Sequence, residues 1–298
     1  MNAISSNRTK KRIFIACCLA PSLFIYIWLI IYPCIRAFAM SLYEWNGYSA
    51  NMTFVGLGNF IRVFNDEVFY KSLANNVYIL FWCTLWTFVL SMLFAVIITS
   101  KKYRDRNILR VIFFIPYALS VTIVSVIWMF IYNPSFGALN SMLDAIGLSS
   151  LTQRWLGDSN VIMGALTVPL VWVNVGFYMV LFITSIMSIP RDRYEAAEID
   201  GAGELQKFFF ITIPGIWEMI RIALIFFIVT AFSYSFELVF VITKGGPNRA
   251  SELVTTYLYE KAFRTGEFGY ASALGVVLFA IVFILIFILR RTTRREDT

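Results

Sequence analysis

The sequence contains no histidine among its 298 residues. Histidine-based nucleophile triads, histidine metal sites and a histidine haem ligand are therefore excluded. Charge is also scarce. Asp, Glu, Lys and Arg make up 14% of the chain, against about 25% in a soluble domain. The four cysteines, Cys17, Cys18, Cys34 and Cys83, form no spaced pair of the zinc or redox type. All four lie in or beside apolar blocks, as small packing residues do. No G-x-x-x-x-G-K-[ST] sequence occurs, so the chain carries no phosphate-binding loop of that kind. What remains is apolar: 59% of residues and a mean hydropathy of +0.73. This is the composition of a polytopic membrane protein.

Runs without a single charge mark the crossings. They are Ile13 to Ile35, Ser72 to Ser100, Val111 to Leu143, Ser159 to Pro190, Ile222 to Thr243 (interrupted only by Glu237) and Phe268 to Leu289. Each holds the roughly 20 residues that a helix needs to cross the hydrocarbon core. The two longest runs must include loop residues, and Asn133-Pro134 breaks one of them. The expectation is an all-α polytopic membrane protein with six transmembrane helices, over about 13–35, 73–99, 108–132, 161–187, 217–242 and 268–290. A cytoplasmic tail 1–12 precedes this domain and a cytoplasmic tail 291–298 follows it. The first block follows Lys10, Lys11 and Arg12 but is longer than a signal-peptide core and lacks a small-residue cleavage site, so it reads as a retained anchor.

The net charge of +7 is a topology signal and does not point to nucleic acid. With the N-terminus inside, the inner segments hold 16 lysines and arginines and the outer ones 8. The short stretch Lys101–Arg110 alone carries five of the inner ones. By the positive-inside rule both termini are cytoplasmic. Three long connections, Arg36–Lys71, Asn133–Asp158 and Lys244–Glu267, then face outward, and ordered loops of this length are usually functional or partner-facing.

One inner loop, 190–214, differs from the rest: PRDRYEAAEIDGAGELQKFFFITIP. Asp192 is placed to cap a helix starting at Arg193 or Tyr194, and Gly201 and Gly203 are placed to stop it. A second short helix is expected from Glu204 to Phe210. Small Ala196 and Ala197 permit close approach of another surface, and Glu195, Glu198, Asp200 and Glu204 make the element acidic. Physically it reads either as a solvated loop with a helix on the membrane surface or as a docking element.

The order of residues resembles a known motif. Glu195-Ala196-Ala197, three residues, Gly201, nine residues, Ile211, one residue, Ile213-Pro214 is similar to the EAA loop of ABC importer permeases, with Ile213 where that family has Leu. Ile199-Asp200-Gly201-Ala202-Gly203 resembles the carbohydrate-type members. So do Thr243-Lys244-Gly245-Gly246-Pro247, Thr255-Thr256-Tyr257-Leu258-Tyr259 and Phe268-Gly269-Tyr270-Ala271-Ser272-Ala273. The resemblance implies the type I ABC importer permease fold and an ATPase-coupling helix formed by Tyr194, Glu195, Ala196, Ala197, Asp200, Gly201 and Gly203. It also implies a second homologous permease subunit, an ABC ATPase dimer and an extracytoplasmic substrate-binding protein. The setting would be a bacterial or archaeal plasma membrane. No metal, cofactor or catalytic residue is expected in this chain, because ATP and Mg would sit on the ATPase subunits.

A sugar path calls for aromatic faces and hydrogen-bonding groups within the spans. The fourth span offers Trp172, Asn174, Phe177 and Tyr178, the last three sharing a face by spacing. The fifth offers Ser233, Tyr234 and Glu237. A carboxylate inside a span is a functional candidate by default, and Glu237 reads as cavity-lining, as partner to another polar group, or as interfacial. The expected function is ATP-driven import of a sugar, oligosaccharide or related polyol. An ion-coupled secondary carrier using Glu237 is the alternative. A membrane-embedded enzyme lacks a second acid–base group.

Overall fold

A computed structural model of the chain describes residues 2–49, 51–99 and 106–293. Lys101, Lys102, Arg104, Arg294 and Arg295, counted above for orientation, lie outside the described residues. Contacts divide the chain into two units, Met1–Asp66 with Leu258–Phe279, and Glu67–Tyr257 with Ala280–Thr298.

In the first unit, α1 (Asn2–Tyr26) passes through one π turn at Ile27–Ile31 into α2 (Tyr32–Met40). Phe14–Met40 is long and apolar enough to cross a membrane. Its side chains are exposed almost throughout, as suits a helix whose solvent is lipid. A short antiparallel pair, β1 (Tyr43–Glu44) and β2 (Thr53–Phe54), follows with Tyr43 opposite Phe54. Then comes α3 (Gly58–Phe64). Buried Asn59 fixes this loop, its amide donating to the carbonyls of Ser41 at 2.9 Å and Tyr43 at 3.0 Å.

The second unit is built on α4 (Glu67–Thr99). Next come α5 (Arg106–Ala118), α6 (Val121–Ile131), α7 (Ala138–Ala145) and α8 (Ile162–Met187). After these lie α9 (Arg191–Ile199), α10 (Glu204–Lys207), α11 (Ile213–Gly215) and α12 (Trp217–Ile242). α4 buries Cys83, Thr87, Ser91 and Ala95 at every fourth position. This is a stripe of small side chains, which lets helices approach closely in lipid. It lies on α8, where the Ser91 hydroxyl donates to the Val175 carbonyl at 2.8 Å. α5 meets α8 at Gly176, where a Cβ would overlap the Phe113 carbonyl. The core joining these helices includes Leu166, Leu170, Met179, Phe182, Phe227 and Leu238.

α13 (Val254–Phe263) and α14 (Phe268–Thr292) complete the chain and contribute to both units. Within the first unit Gly269 lies against the Tyr43 carbonyl, again where no Cβ would fit.

Among the described residues five helices have the length and hydropathy to span a membrane, and a sixth crossing is available as a bent pair, Asn107–Ala118 with Val121–Ile131, at 97°. The sequence reading treats 108–132 as one run ending near Asn133-Pro134. The chain instead turns at Leu119-Ser120. The Ser120 hydroxyl accepts from the Ile123 amide at 3.3 Å and starts α6 as a fresh helix.

Candidate functional site

The loop at 190–214 forms a braced pair of short helices. Pro190 caps α9, with its extended backbone ending at a helix that begins at Arg191. This corrects the expected start at Arg193 or Tyr194. Asp192 lies in the first turn, its carboxylate accepting from the Arg193 amide at 3.0 Å, where a negative charge suits the helix N-terminus. The end of α9 is a complete Schellman motif. The Gly201 amide donates to the Glu198 carbonyl at 3.1 Å and the Ala202 amide to Ala197 at 2.8 Å. Gly201 has φ +78, the left-handed conformation that glycine adopts without a Cβ penalty. Gly203 then caps α10, and its amide is held by the Gln206 side chain at 2.8 Å.

Lys207 links the two helices. Its side chain is buried while its ammonium donates to Glu198 at 2.9 Å and pairs with Glu204 at 2.6 Å. The hydrogen bonds to Glu204 and Glu198 hold its pKa above the ordinary lysine value. α10 runs through a π turn at Phe208–Thr212 instead of ending at Phe210. One turn before Glu198 on α9 the Tyr194 hydroxyl meets Thr212 at 2.9 Å. Tyr194 is thus a brace. Glu195, Ala196, Asp200, Gly201 and Gly203 are exposed, whereas Ala197 is half-buried. A shallow cavity of about 320 Å³ lies beside Ala197, Asp200, Gly201, Ala202 and Lys207. Apolar Ile199, Leu205 and Phe210, the last at the rim of this cavity, are all more than 70% exposed.

The seven expected path residues separate into three groups. Phe177 stacks on Tyr117 with ring centres 4.6 Å apart and planes 18° off parallel, and Tyr234 lies close to the Tyr117 hydroxyl. Glu237 accepts from the Thr122 hydroxyl at 2.9 Å, which ties α12 to the helix beginning after the Leu119-Ser120 turn. Ser233 is exposed one turn before Glu237. These four expected residues, with Tyr117 and Thr122, make one polar and aromatic face beside the bend. Asn174 and Tyr178 are buried behind it, Tyr178 close enough to interact with Tyr117 and Tyr234. Asn174 is 5% exposed and donates to the Leu170 carbonyl of its own helix at 2.8 Å. Tyr178 is buried between Phe88 and Phe227. Trp172 points elsewhere again, edge-on to Trp128 at 5.9 Å. The shared face expected of Asn174, Phe177 and Tyr178 is therefore split by packing. Tyr117 and Thr122 were missed, although both flank Leu119-Ser120 within the third apolar run.

The loop after α12 is pinned within its unit. Asn75 donates to the carbonyls of Ala250 at 3.0 Å and Glu252 at 2.9 Å, and Asn76 accepts from the Val254 amide at 2.9 Å. Thr243 and Ser251 share a hydrogen bond at 2.8 Å across the Gly245-Gly246 turn. In the first unit Glu267, at the start of α14, pairs with Arg62 and with Lys261. Burial pushes the Glu267 pKa up, but the bonds from Lys261 and Arg62 outweigh it and leave it below the ordinary value.

An exposed, braced helix pair on a multi-helix apolar scaffold, with a broken span lining a polar face, is the architecture of a transporter permease. The chain belongs to the family described as binding-protein-dependent transport system inner membrane component, which it matches over residues 87–297. It is the permease component of an ABC importer, a multi-pass membrane protein with the type I permease fold. It is 37% identical over 283 residues to the probable ABC transporter permease protein YurN of Bacillus subtilis, covering 95% of each chain. It is 34% identical to the diacetylchitobiose uptake system permease protein NgcF of Streptomyces coelicolor, covering 90% of this chain and 80% of that one. In fold it matches a chain of a bacterial ABC transporter involved in the import of the acidic polysaccharide alginate. The TM-score is 0.85 at 22% identity, covering 98% of this chain and 99% of that one. Family membership sets aside the ion-coupled carrier as the reading of Glu237.

Proposed function

We propose that this permease imports a sugar, oligosaccharide or related polyol. It would act with a second homologous permease subunit, an ATPase dimer that binds ATP and Mg, and an extracytoplasmic binding protein. Both termini are cytoplasmic in this reading, in a bacterial or archaeal plasma membrane. The chain itself performs no chemistry. The observation that carries coupling is the braced α9–α10 pair. Its Schellman turn, the Lys207 clip and the Tyr194–Thr212 contact make it rigid, while Glu195, Ala196 and Gly201 remain exposed. A rigid element can transmit a push from a closing ATPase into α8 and α12, where a soft loop would absorb it.

Carbohydrate as cargo is supported by the Tyr117–Phe177 stack beside Tyr234, Thr122 and Glu237, a pairing of aromatic face and hydroxyl-binding groups. The names of relatives agree, among them the NgcF protein above and an arabinooligosaccharides transport system permease of Halalkalibacterium halodurans. The test is ATP-driven uptake by the assembled transporter in proteoliposomes. Gly201→Asp is expected to abolish uptake while insertion and expression persist. An added side chain at Gly201 meets no atom within the subunit, although its φ of +78 strains any residue other than glycine; normal uptake by that variant would refute the docking assignment.

A further inference from the structure

A second cavity, of about 760 Å³, lies in the second unit between α4, α5 and α8, on a different face from the Tyr117–Glu237 group. It runs along α4 from Tyr78 through Trp82 and Trp86 to Phe94, with Phe113 and Trp172 among its other walls. Sixteen residues of helix rise about 24 Å, so the groove is long, narrow and apolar, a shape that suits an extended acyl chain. Its walls are mainly apolar, and the Thr167 hydroxyl among them is already spent on the Met163 carbonyl at 2.8 Å. The stretch from Phe94 to Trp82 rises about 18 Å, close to one leaflet of a hydrocarbon core about 30 Å thick.

At the inner end stands a cation. Arg110 lies one turn before Phe113 on α5, on the same side of the helix, at the end that the charge bias places on the cytoplasmic side. Its Nε is buried without a hydrogen-bond partner, and its Nη2 reaches only the Met187 thioether at 3.6 Å. Among the described residues no carboxylate pairs with it. A guanidinium at a membrane edge with a free donor calls for an anionic oxygen.

We propose that the groove is a binding site for an anionic phospholipid of the cytoplasmic leaflet. Its phosphate would take the Arg110 guanidinium, and one acyl chain would lie against Phe94, Phe113, Trp86 and Trp82. The occupant would brace the α5–α8 crossing, where helix bending must be absorbed when the span turning at Leu119-Ser120 moves.

The assembled transporter in phosphatidylcholine nanodiscs provides the test. Phosphatidylglycerol or phosphatidylcholine with dibrominated acyl chains is titrated in, and quenching of tryptophan fluorescence is read. A variant with Trp82, Trp86 and Trp172 all replaced by Phe supplies the background, so the difference reports the groove alone. Its size-exclusion profile confirms assembly. The expected result is a roughly fivefold preference for brominated phosphatidylglycerol, the effect of about 1 kcal/mol from one arginine near an anionic headgroup. The preference should vanish in Arg110→Gln and persist in Arg110→Lys. Equal quenching by both lipids would overturn the proposal. So would no quenching of the groove tryptophans, which would mean that protein fills the groove, or a preference that survives Arg110→Gln.

Discussion

Replacing Gly176 by alanine should separate two helices that now touch. A Cβ there would lie 2.6 Å from the Phe113 carbonyl carbon and 2.9 Å from the Phe114 Cα, besides overlapping the Phe113 oxygen. Carbon contacts settle at about 3.5–4.0 Å, so α5 must retreat by about 1 Å. Backbone atoms cannot rotate aside as a side chain would. Overpacking of this kind costs about 1–3 kcal/mol, partly offset by the about 0.5–1 kcal/mol that alanine gains over glycine within a helix. Gly164 supplies the control, because it lies on the same helix and the nearest atom to its added Cβ is the Tyr78 hydroxyl at 3.9 Å. Gly164→Ala carries the helix gain without the clash. The two variants should therefore differ by about 1–3 kcal/mol, or about 2–12 °C in melting temperature for a unit of this size. Thermal unfolding of the detergent-purified transporter, followed by size-exclusion, reads the gap. Equal melting temperatures would show that α5 and α8 do not meet at Gly176. The Tyr117–Phe177 stack flanks this crossing, so Gly176→Ala should also impair uptake where Gly164→Ala does not.

Three further outcomes are expected. Lys207→Met removes the clip between α9 and α10 and leaves Glu198 and Glu204 facing each other, so uptake per ATP hydrolysed should fall while expression holds; unchanged coupling in a transport-to-hydrolysis assay would count against the brace. Glu237→Gln keeps an acceptor for Thr122 but weakens a charge-assisted bond, so half-saturation for uptake should rise about five- to tenfold with the maximal rate little changed. A fall in maximal rate alone would make Glu237 a structural partner instead. Because the folded-state pKa of Glu267 lies below the ordinary value of 4.5, its pairs with Lys261 and Arg62 stabilise the fold fully above that value. That contribution is lost as pH falls through the lowered pKa. Glu267→Gln should then lower the melting temperature by a constant amount between pH 7 and about 5, and the gap should close below that range, as a pH series of melts on both proteins would reveal.

Hydropathy and charge are additive along a chain, and so the sequence alone determined the membrane class, the succession of apolar runs and, through Glu195-Ala196-Ala197 and Gly201, the family resemblance. The turn after α9 was equally legible, because glycine at a left-handed position is a local requirement. Side-chain direction inside the bilayer was not. Lipid is as apolar as a protein core, so hydropathy carries no face signal for α4 or α8. The contact face of α4 is marked by size, in the run Cys83, Thr87, Ser91 and Ala95. Packing alone decided that Asn174 and Tyr178 turn inward while Phe177 meets Tyr117. It also decided that Lys207, an unremarkable lysine in a polar loop, is the residue clipping the coupling element together. The bend at Leu119-Ser120 belongs to the same class. It is local only in part: Ser120 caps α6, but the Thr122–Glu237 bond beside the bend joins residues 115 positions apart that only the folded chain brings within reach.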